Sequence, residues 1–270
     1  MRSRVFAIAN QKGGVGKTTT AINLAASLAL GDQAVLAVDM DPQGNLTSGV
    51  GQKGNYAPAG TIYEALTAES TPPVDDYIVS TCVSGLSLLP ADRELTGAEI
   101  ELVSAERREQ RLRRLLEQVR GRYDYILVDT PPSLGLLTLN TLVAADGVIV
   151  PVVCEYFALE GLAYLKDNVS RVGKGFNPGL EIVGVVLTMA DLRTNLGKQV
   201  AAEVQSVFGS KVFETVIPRN VRLGEAPSHG LPVILYDVRS KGAEAYLALA
   251  REFLACTRAY PPPAGEMLSG

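Results

Sequence analysis

A glycine-rich segment near the start of the chain places a turn, a lysine and a hydroxyl in the order that phosphate binding needs. Residues 10–20 read NQKGGVGKTTT. Glycines between a strand and a helix leave backbone N–H groups directed at one point, beside the positive end of the helix dipole. We therefore expect Lys17 to reach the β- and γ-phosphates of a nucleotide and the Thr18 hydroxyl to ligate Mg²⁺.

The loop differs from the usual P-loop pattern at its start. Gln11 stands five residues before Gly16, where the pattern has its first glycine, and Lys12 supplies a second lysine. One lysine is enough for an ordinary phosphate loop. Lys12 is therefore either an additional cation for the charge of a triphosphate or a solvated loop lysine.

Three aspartates follow apolar runs that are expected to be strands. Residues 38–45 read VDMDPQGN and residues 126–132 read ILVDTPP. Open α/β sheets bind ligands at the carboxyl ends of their strands. Asp41 precedes a proline that disfavours helix, which suits a residue that orients an attacking water, and Asp129 is suited to the Mg²⁺ shell. Each aspartate alone, Asp39 included, also fits a helix N-cap, but together with the lysine loop they indicate a nucleotide site.

These residues must be positioned by strands and helices that alternate along the chain. Directly after the loop, the spacing of Ala21, Leu24, Ala25 and Leu28 predicts a core-facing helix. Strands are predicted at residues 5–9, 34–39, 86–90, 125–129, 147–153, 182–188 and 212–217. Their continuous apolarity indicates parallel strands that are covered on both faces. The predicted fold class is α/β, with a single doubly wound, mostly parallel sheet and helices on both faces.

One domain is predicted over residues 1–258, followed by a disordered tail over residues 259–270 that contains three consecutive prolines. Within the domain a short helix is expected at residues 62–66. A charge-rich helix is expected at residues 98–120, with an apolar stripe formed by Ile100, Leu112, Leu115, Leu116 and Val119.

Composition restricts the classes of function. The chain has 270 residues, of which 47% are hydrophobic and 20% charged, and it carries a net charge of −4. This charge gives no global attraction to nucleic acid, so any DNA binding must come from a local patch. Cys82, Cys154 and Cys256 have neither metal-site nor disulfide-framework spacing, which indicates a reducing compartment. With no long apolar run and no signal pattern, we expect a cytoplasmic protein without a membrane partner.

The three nucleotide motifs resemble those of the ParA/Soj partitioning ATPases. These belong to the deviant Walker A group of P-loop NTPases, which also contains MinD and the nitrogenase iron protein. The resemblance covers roughly residues 4–255 and extends to residues 188–195, TMADLRTN, and residues 217–230, IPRNVRLGEAPSHG. Gln11 is usual in this branch. Gly224 replaces a common Ser and Ala190 a frequent Tyr or Phe, and neither change touches the chemistry.

The resemblance implies a role for each site residue. Lys12 would cross an ATP-sandwich dimer to the partner's phosphates, and Asp41 would position the hydrolytic water. Asp39 and Asp129 would support the metal through water. The nucleotide would be held in cis by Gly13, Gly14, Val15, Gly16, Lys17, Thr18 and Thr19, and its adenine by Met189, Pro218, Arg219 and Asn220.

The implied function is a slow ATPase switch with ATP and Mg²⁺ as cofactors. ATP would close a homodimer that binds DNA without sequence preference at the nucleoid, and a ParB-like protein would trigger hydrolysis and release. The resemblance places Arg193 and Arg222 at DNA-contacting positions, with Lys241 a weaker candidate. Residues 189–245 hold seven basic and six acidic side chains, so the charge balance fits scattered solubilising charge equally well.

Three alternatives belong to other classes. A MinD-like membrane-associated positioning ATPase needs a C-terminal amphipathic helix, whereas residues 255–263 read ACTRAYPPP. An iron–sulfur reductase needs paired cysteines that share a cluster between subunits, and Cys82 and Cys154 do not sit in such motifs. A phosphotransferase of similar fold remains open. Chromosome, plasmid and protein-assembly cargoes are not distinguished by any residue.

Overall fold

The computed structural model describes residues 3–155 and 158–258. Its seven strands form one sheet in the order β3-β4-β2-β5-β1-β6-β7. Neighbouring strands are parallel except for the antiparallel edge pair β3 and β4. The strands are β1 (Arg4–Ile8), β2 (Val35–Asp39), β3 (Val79–Ser80), β4 (Leu86–Leu89), β5 (Tyr125–Asp129), β6 (Gly147–Val153) and β7 (Ile182–Thr188).

Helices connect the parallel strands and cover both faces of the sheet, as the sequence predicts. They are α1 (Lys17–Ala29), α2 (Asn45–Gly49), α3 (Ile62–Thr67), α4 (Leu95–Glu101), α5 (Arg111–Glu117), α6 (Leu136–Ala144), α7 (Ala158–Gly175), α8 (Asn195–Phe208), α9 (Val221–Glu225), α10 (Val233–Tyr236) and α11 (Lys241–Arg258). The doubly wound α/β prediction is therefore confirmed. None of the helices in the described ranges combines the length and apolarity needed to cross a bilayer.

Alternation along the central strand divides the core into two layers. Val5 and Ala7 belong to the hydrophobic cluster under α3–α7, whereas Phe6 and Ile8 belong to the cluster under α1 and α11. Successive strand side chains point to opposite faces, so one apolar run serves both layers. In the second layer Phe6 packs edge-on against Phe253 of α11, with ring centroids 5.0 Å apart.

The segment at residues 212–217 is not a strand, contrary to the prediction. Two backbone bonds reach β7: Phe213 N–H donates to Val185 O at 2.9 Å, and Ile217 N–H to Leu187 O at 2.8 Å. Between them, the N–H groups of Glu214 and Thr215 donate to the Glu252 carboxylate at 2.6 and 2.9 Å. A side chain from α11 therefore takes the donors that a strand ladder would need.

The single helix predicted at residues 98–120 is also wrong. Helix α4 ends at Glu101, and the chain passes through an extended residue and a left-handed Arg107 at φ 49° before α5 begins. Asn140 of α6 stabilises the break, because it accepts from Leu112 N–H and donates to Arg108 O. Ile100 is 76% exposed and does not join the buried stripe.

The remaining predictions concern a short helix, an edge strand and the C-terminal tail. The helix at residues 62–66 is confirmed as α3, which begins with a capping box between Thr61 and Glu64. The edge strand β3 has no counterpart among the predicted strands. The tail predicted at residues 259–270 lies outside the described residues.

Candidate nucleotide-binding site

The glycine-rich loop joins β1 to α1 and presents the open end of that helix. Gly14 and Gly16 adopt left-handed conformations, with φ of 74° and 84°, which side chains with a Cβ rarely tolerate. Gly16 is the N-cap residue and no side chain caps α1, whose first turn contains no acidic residue. The free amide groups at this end of α1 and the positive end of the helix dipole therefore face the glycine-rich loop, and no acidic side chain of the first turn neutralises them.

Two adjoining cavities open at the carboxyl end of the sheet beside this loop. One has a volume of about 290 Å³ and is lined by Gly13, Gly14, Gly16, Lys17, Thr18, Thr19, Asp41, Gln43, Asn45, Pro132 and Met189. The other, of about 190 Å³, is lined by Gly16, Thr19, Thr188, Met189, Ile217, Pro218, Arg219, Asn220, Leu223, Gly224 and Tyr246. We call them the phosphate cavity and the base cavity. Most of the predicted nucleotide-binding residues line one or both.

Met189 forms part of the wall common to the two cavities. It follows β7 and holds a left-handed backbone at φ 49°, an uncommon conformation for a residue with a side chain. The preceding Thr188 donates its hydroxyl proton to Val15 O at 2.8 Å. The end of β7 is thereby fastened to the glycine-rich loop, a link that the sequence did not predict.

Lys17 lies among acids inside the site. Its ammonium group donates to Lys12 O at 3.2 Å, and the residue is 7% exposed. Burial lowers the pKa of Lys17, while the charges of Asp129 and Asp41 act in the opposite direction. These acids therefore help to keep a buried cation charged beside the phosphate cavity.

The Lys12 side chain forms an ion pair outside the phosphate cavity. Its ammonium group pairs with Glu155 just after β6 at 3.0 Å, and both side chains are largely accessible, at 35% and 54% exposure. Its backbone N–H donates to the Asn10 side chain. Lys12 does not line the phosphate cavity, whereas Lys17 does.

Asp39 is a buried carboxylate whose two oxygens are both occupied by the chain. One accepts from Asp41 N–H at 3.1 Å, and the other accepts from the N–H and the hydroxyl of Thr47 at 2.9 and 2.7 Å. Burial raises the pKa of Asp39 to about 6, although these hydrogen bonds oppose the shift. Thr47, which also accepts from Ala91 N–H at 3.0 Å, was not predicted. No sequence motif links an aspartate to a threonine eight residues later, so this contact could not be predicted.

Asp41 lines the phosphate cavity and is 6% exposed. One of its oxygens accepts from Gln43 N–H at 3.0 Å, which orients the carboxylate and fixes the turn after β2. Gln43 and Asn45 of the same turn also line the cavity. Since one oxygen is held by the turn, the other can contact a water molecule beside a bound phosphate.

Asp129 has the opposite environment to Asp39. Both of its carboxylate oxygens are buried and neither makes a hydrogen bond within the chain. Burial and then the charge of Asp39 raise the pKa of Asp129 well above its usual range, while the neighbouring Thr18 hydroxyl and Lys17 ammonium act against this shift. A buried carboxylate whose oxygens accept no hydrogen bond would be stabilised by a nearby cation.

This environment fits Mg²⁺. Among the residues that the structure describes, no cluster of three or more His, Cys, Asp or Glu side chains could hold a metal ion unaided. Magnesium characteristically binds through one or two carboxylates together with substrate phosphates and water. Thr18 and Asp129 would hold the ion beside a bound nucleotide, and the ion would supply charge neutralisation for its phosphates.

A larger cavity of about 460 Å³ lies on the other side of the sheet. It is lined mainly by α4, α6 and α7, including Leu139, Val172 and Phe176. None of the predicted site residues lines it. Together the two smaller cavities combine the helix terminus, the lysine and the acids that phosphate and Mg²⁺ require.

The residues predicted to contact DNA lie outside both cavities. Arg193 is in the loop before α8, Arg222 is on α9 and Lys241 begins α11. Two of them follow or neighbour residues at the base cavity. Arg193 is three residues after Ala190, which pairs with Pro218 in an isolated bridge, and Arg222 precedes Leu223 and Gly224, which line that cavity.

The position of Lys17 in the phosphate cavity predicts that nucleotide binding depends on its side chain. The Lys17→Ala protein should lose ADP and ATP binding, because the buried cation facing the β- and γ-phosphate positions disappears. Isothermal titration calorimetry with ADP and Mg²⁺ would measure this. The control is Lys53→Ala, which removes the same charge from an exposed loop position and should bind as the parent protein does. Undiminished binding by Lys17→Ala would contradict the assignment of the phosphate cavity.

The chain is similar to a protein family, to several curated proteins and to solved structures. The family described as an AAA domain matches residues 3–182. The chain is 56% identical to the sporulation initiation inhibitor protein Soj of Bacillus subtilis, covering 93% of this chain and 98% of that protein. It is 54% identical to the chromosome partitioning protein ParA of Myxococcus xanthus, covering 93% of this chain and 88% of that protein. A crystal structure described as cobyrinic acid a,c-diamide synthase from Mycobacterium smegmatis with bound ADP and magnesium is 36% identical and has a TM-score of 0.82. The match covers 97% of this chain and 98% of that one.

Proposed function

This chain belongs to the ParA/Soj family of chromosome-partitioning P-loop ATPases, and we propose that it is an ATP-dependent dimerising switch that segregates a chromosome, a plasmid or another cargo. ATP binding closes a homodimer, the dimer binds DNA without sequence preference, and a ParB-like partner stimulates hydrolysis and release. The partition relatives are more similar in sequence than the solved synthase structure, at 54–56% against 36% identity.

The position of Lys12 is the observation that carries the proposal. Lys17 already serves the cavity of its own subunit, while the Lys12 side chain pairs with Glu155 outside that cavity. An exposed ion pair contributes little stability, typically about 0–1 kcal/mol, so Lys12 can exchange Glu155 for a stronger anion at small cost. Two triphosphates facing each other across a dimer provide such anions. Cations donated by the partner also stabilise the charge on a transferring phosphoryl group.

Hydrolysis would then depend on Asp41. Its carboxylate lines the phosphate cavity with one oxygen fixed by the Gln43 amide, so the other oxygen can orient a water molecule towards the γ-phosphate. In phosphoryl transfer such positioning, together with electrostatic stabilisation, supplies most of the catalysis. Bound Mg²⁺ would neutralise phosphate charge beside Thr18 and Asp129.

The position of α11 argues against the MinD-like membrane alternative for the described part of the chain. The apolar side chains Ala243, Tyr246, Leu249 and Phe253 are buried against the second core layer. A helix that already buries its apolar stripe in the protein core has none left for a lipid surface.

Lys12→Ala tests the dimer. This protein should bind ADP as a monomer much as the parent does, because its phosphate cavity is intact, but it should fail to dimerise with ATP. Light scattering with ATP and with ADP would measure the mass. Lys53→Ala is a control with the same charge change. Normal ATP-dependent dimerisation by Lys12→Ala would rule out a lysine donated between subunits.

Asp41→Ala tests the hydrolytic role. It should bind ATP, dimerise and hydrolyse the nucleotide far more slowly, by roughly 10²-fold or more, which traps the dimer. Asp41→Asn is the sharper companion, since its amide oxygen can still accept from Gln43 N–H. Phosphate release measures the rate. If Asp41→Asn turned over ATP at the parent rate, Asp41 would serve only to fix the turn.

Charge reversal tests the DNA surface. The Arg193→Glu/Arg222→Glu protein should lose DNA binding and keep ATP-dependent dimerisation, because both residues lie outside the nucleotide cavities. The parent protein should require ATP, ignore sequence and bind more weakly as salt increases towards physiological levels. Gel shifts on random duplexes would measure this. Lys53→Glu/Lys174→Glu, at exposed positions elsewhere, gives the same charge change. Equal DNA binding with ADP and ATP would sink the DNA-binding part of the proposal.

A further inference from the structure

Each of the three cations predicted to contact DNA is already held by a carboxylate of its own chain. The Arg193 guanidinium makes a two-pronged contact with Asp191, from Nε to Oδ1 at 2.8 Å and from Nη2 to Oδ2 at 2.7 Å. This fork is the arrangement in which arginine also binds phosphate oxygens. Asp191 therefore occupies the donors of Arg193 that a DNA phosphate would use.

Arg222 is held from two sides. Its Nη1 contacts Glu225 Oε2 at 2.7 Å and its Nε contacts Asp237 Oδ2 at 3.3 Å. The hydroxyl of Tyr236 donates to the same Glu225 oxygen at 3.3 Å, so this carboxylate is itself fixed in place. The contacts join α9 to the segment between α10 and α11.

Lys241 follows the same pattern and completes one surface. Its ammonium group contacts Glu244 one turn along α11 at 2.8 Å. The Leu223 side chain of α9 packs over Gly242, which brings Arg222 and Lys241 onto adjoining elements. Three cations on this surface thus face four carboxylates, namely Asp191, Glu225, Asp237 and Glu244. Together these three cations and four carboxylates have no net positive charge.

We propose that these carboxylates are internal competitors for DNA phosphates and set how strongly the surface binds DNA. This inference rests on the DNA-binding role proposed above. Each phosphate contact must first replace an acid that is covalently tethered two to fifteen residues from its cation. Exposed ion pairs are weak, so the replacement is possible, but each costs part of what the new contact contributes. Binding is then feeble for one subunit and requires the doubled set of contacts that a dimer provides.

The competition also bears on nucleotide dependence. Leu223 and Gly224 line the base cavity, and Arg222 and Glu225 are the residues on either side of them in α9. One short helix therefore touches the nucleotide site and carries the central ion pair of the surface. A permanently basic patch would bind DNA in the monomer as well. On this surface the paired acids weaken DNA binding by a single subunit, while every cation that the dimer uses remains in place.

The test is to neutralise the carboxylates while preserving their shape. Asp191→Asn/Glu225→Gln keeps an oxygen that accepts from Arg193 N–H and from the Tyr236 hydroxyl but removes two negative charges. With ATP and Mg²⁺, this protein should bind a random DNA duplex more tightly than the parent at low salt by about threefold for each carboxylate, which amounts to roughly 10²-fold for the four carboxylates of a dimer. The slope of log affinity against log salt should steepen by about one for each cation released.

A matched control separates local competition from overall charge. Asp75→Asn/Glu181→Gln removes the same two charges from ion pairs with Arg122 and Lys211 that lie away from this surface. It should bind DNA within about twofold of the parent, as expected for charges beyond a Debye length from the duplex. ADP binding and the thermal unfolding midpoint should be unchanged in both double variants, which shows that the loops remain folded.

The outcomes distinguish this inference from the function on which it rests. If the parent binds DNA with ATP and the Asp191→Asn/Glu225→Gln protein binds no better than the control, the competition idea is overturned and the DNA-binding role stands. Weaker binding by that variant would show that the acids position the arginines, and it overturns the inference equally. If neither protein binds DNA with ATP, both the inference and the DNA-binding role fall.

Discussion

Two buried carboxylates lie side by side at the centre of this molecule, and the nucleotide end of the fold is organised around their charge. Asp39 and Asp129 are register partners at the ends of β2 and β5, and both are fully buried. Like charges in such a place are unfavourable unless other groups compensate. The chain supplies three hydrogen bonds to Asp39. For Asp129 it supplies only the nearby Lys17 and Thr18, and a cation brought by a nucleotide would complete the set.

The sheet positions these acids because parallel strands end together. β1, β2 and β5 are adjacent in the sheet although they are far apart in the chain, so the loop after β1 and the acids after β2 and β5 meet at one edge. This is why the sequence alone could predict that these residues meet at one edge of the sheet. Apolar runs that end in Gly, Lys or Asp predict both the strand and the edge at which its functional residue lies. Six of the seven predicted strands, and the helix that follows the glycine-rich loop, have counterparts in the structure.

The features that the sequence did not predict depend on side chains from distant elements. The apolar run at residues 212–217 has strand-like composition, yet Glu252 accepts from the amides of Glu214 and Thr215 within it. The break between α4 and α5 is held by Asn140, and the environment of Asp39 depends on Thr47. The ion pair between Arg222 and Asp237 belongs to the same category. Counting charges along the segment gives no indication of which acid faces which cation, and only the folded chain brings Asp237 to Arg222.

The strand order has a consequence for how the chain is made. β1 is synthesised before the other strands of the sheet, but its two neighbours in the sheet are β5 and β6, which are synthesised much later. Until then Val5, Phe6, Ala7 and Ile8 have no strand beside them, and the glycine-rich loop has no acids to face. Long-range parallel pairing of this kind is slow and leaves apolar edges open to aggregation. A nascent chain of this protein therefore acquires its nucleotide site late, and premature truncation before β5 yields a fragment that is prone to aggregate and unable to bind nucleotide.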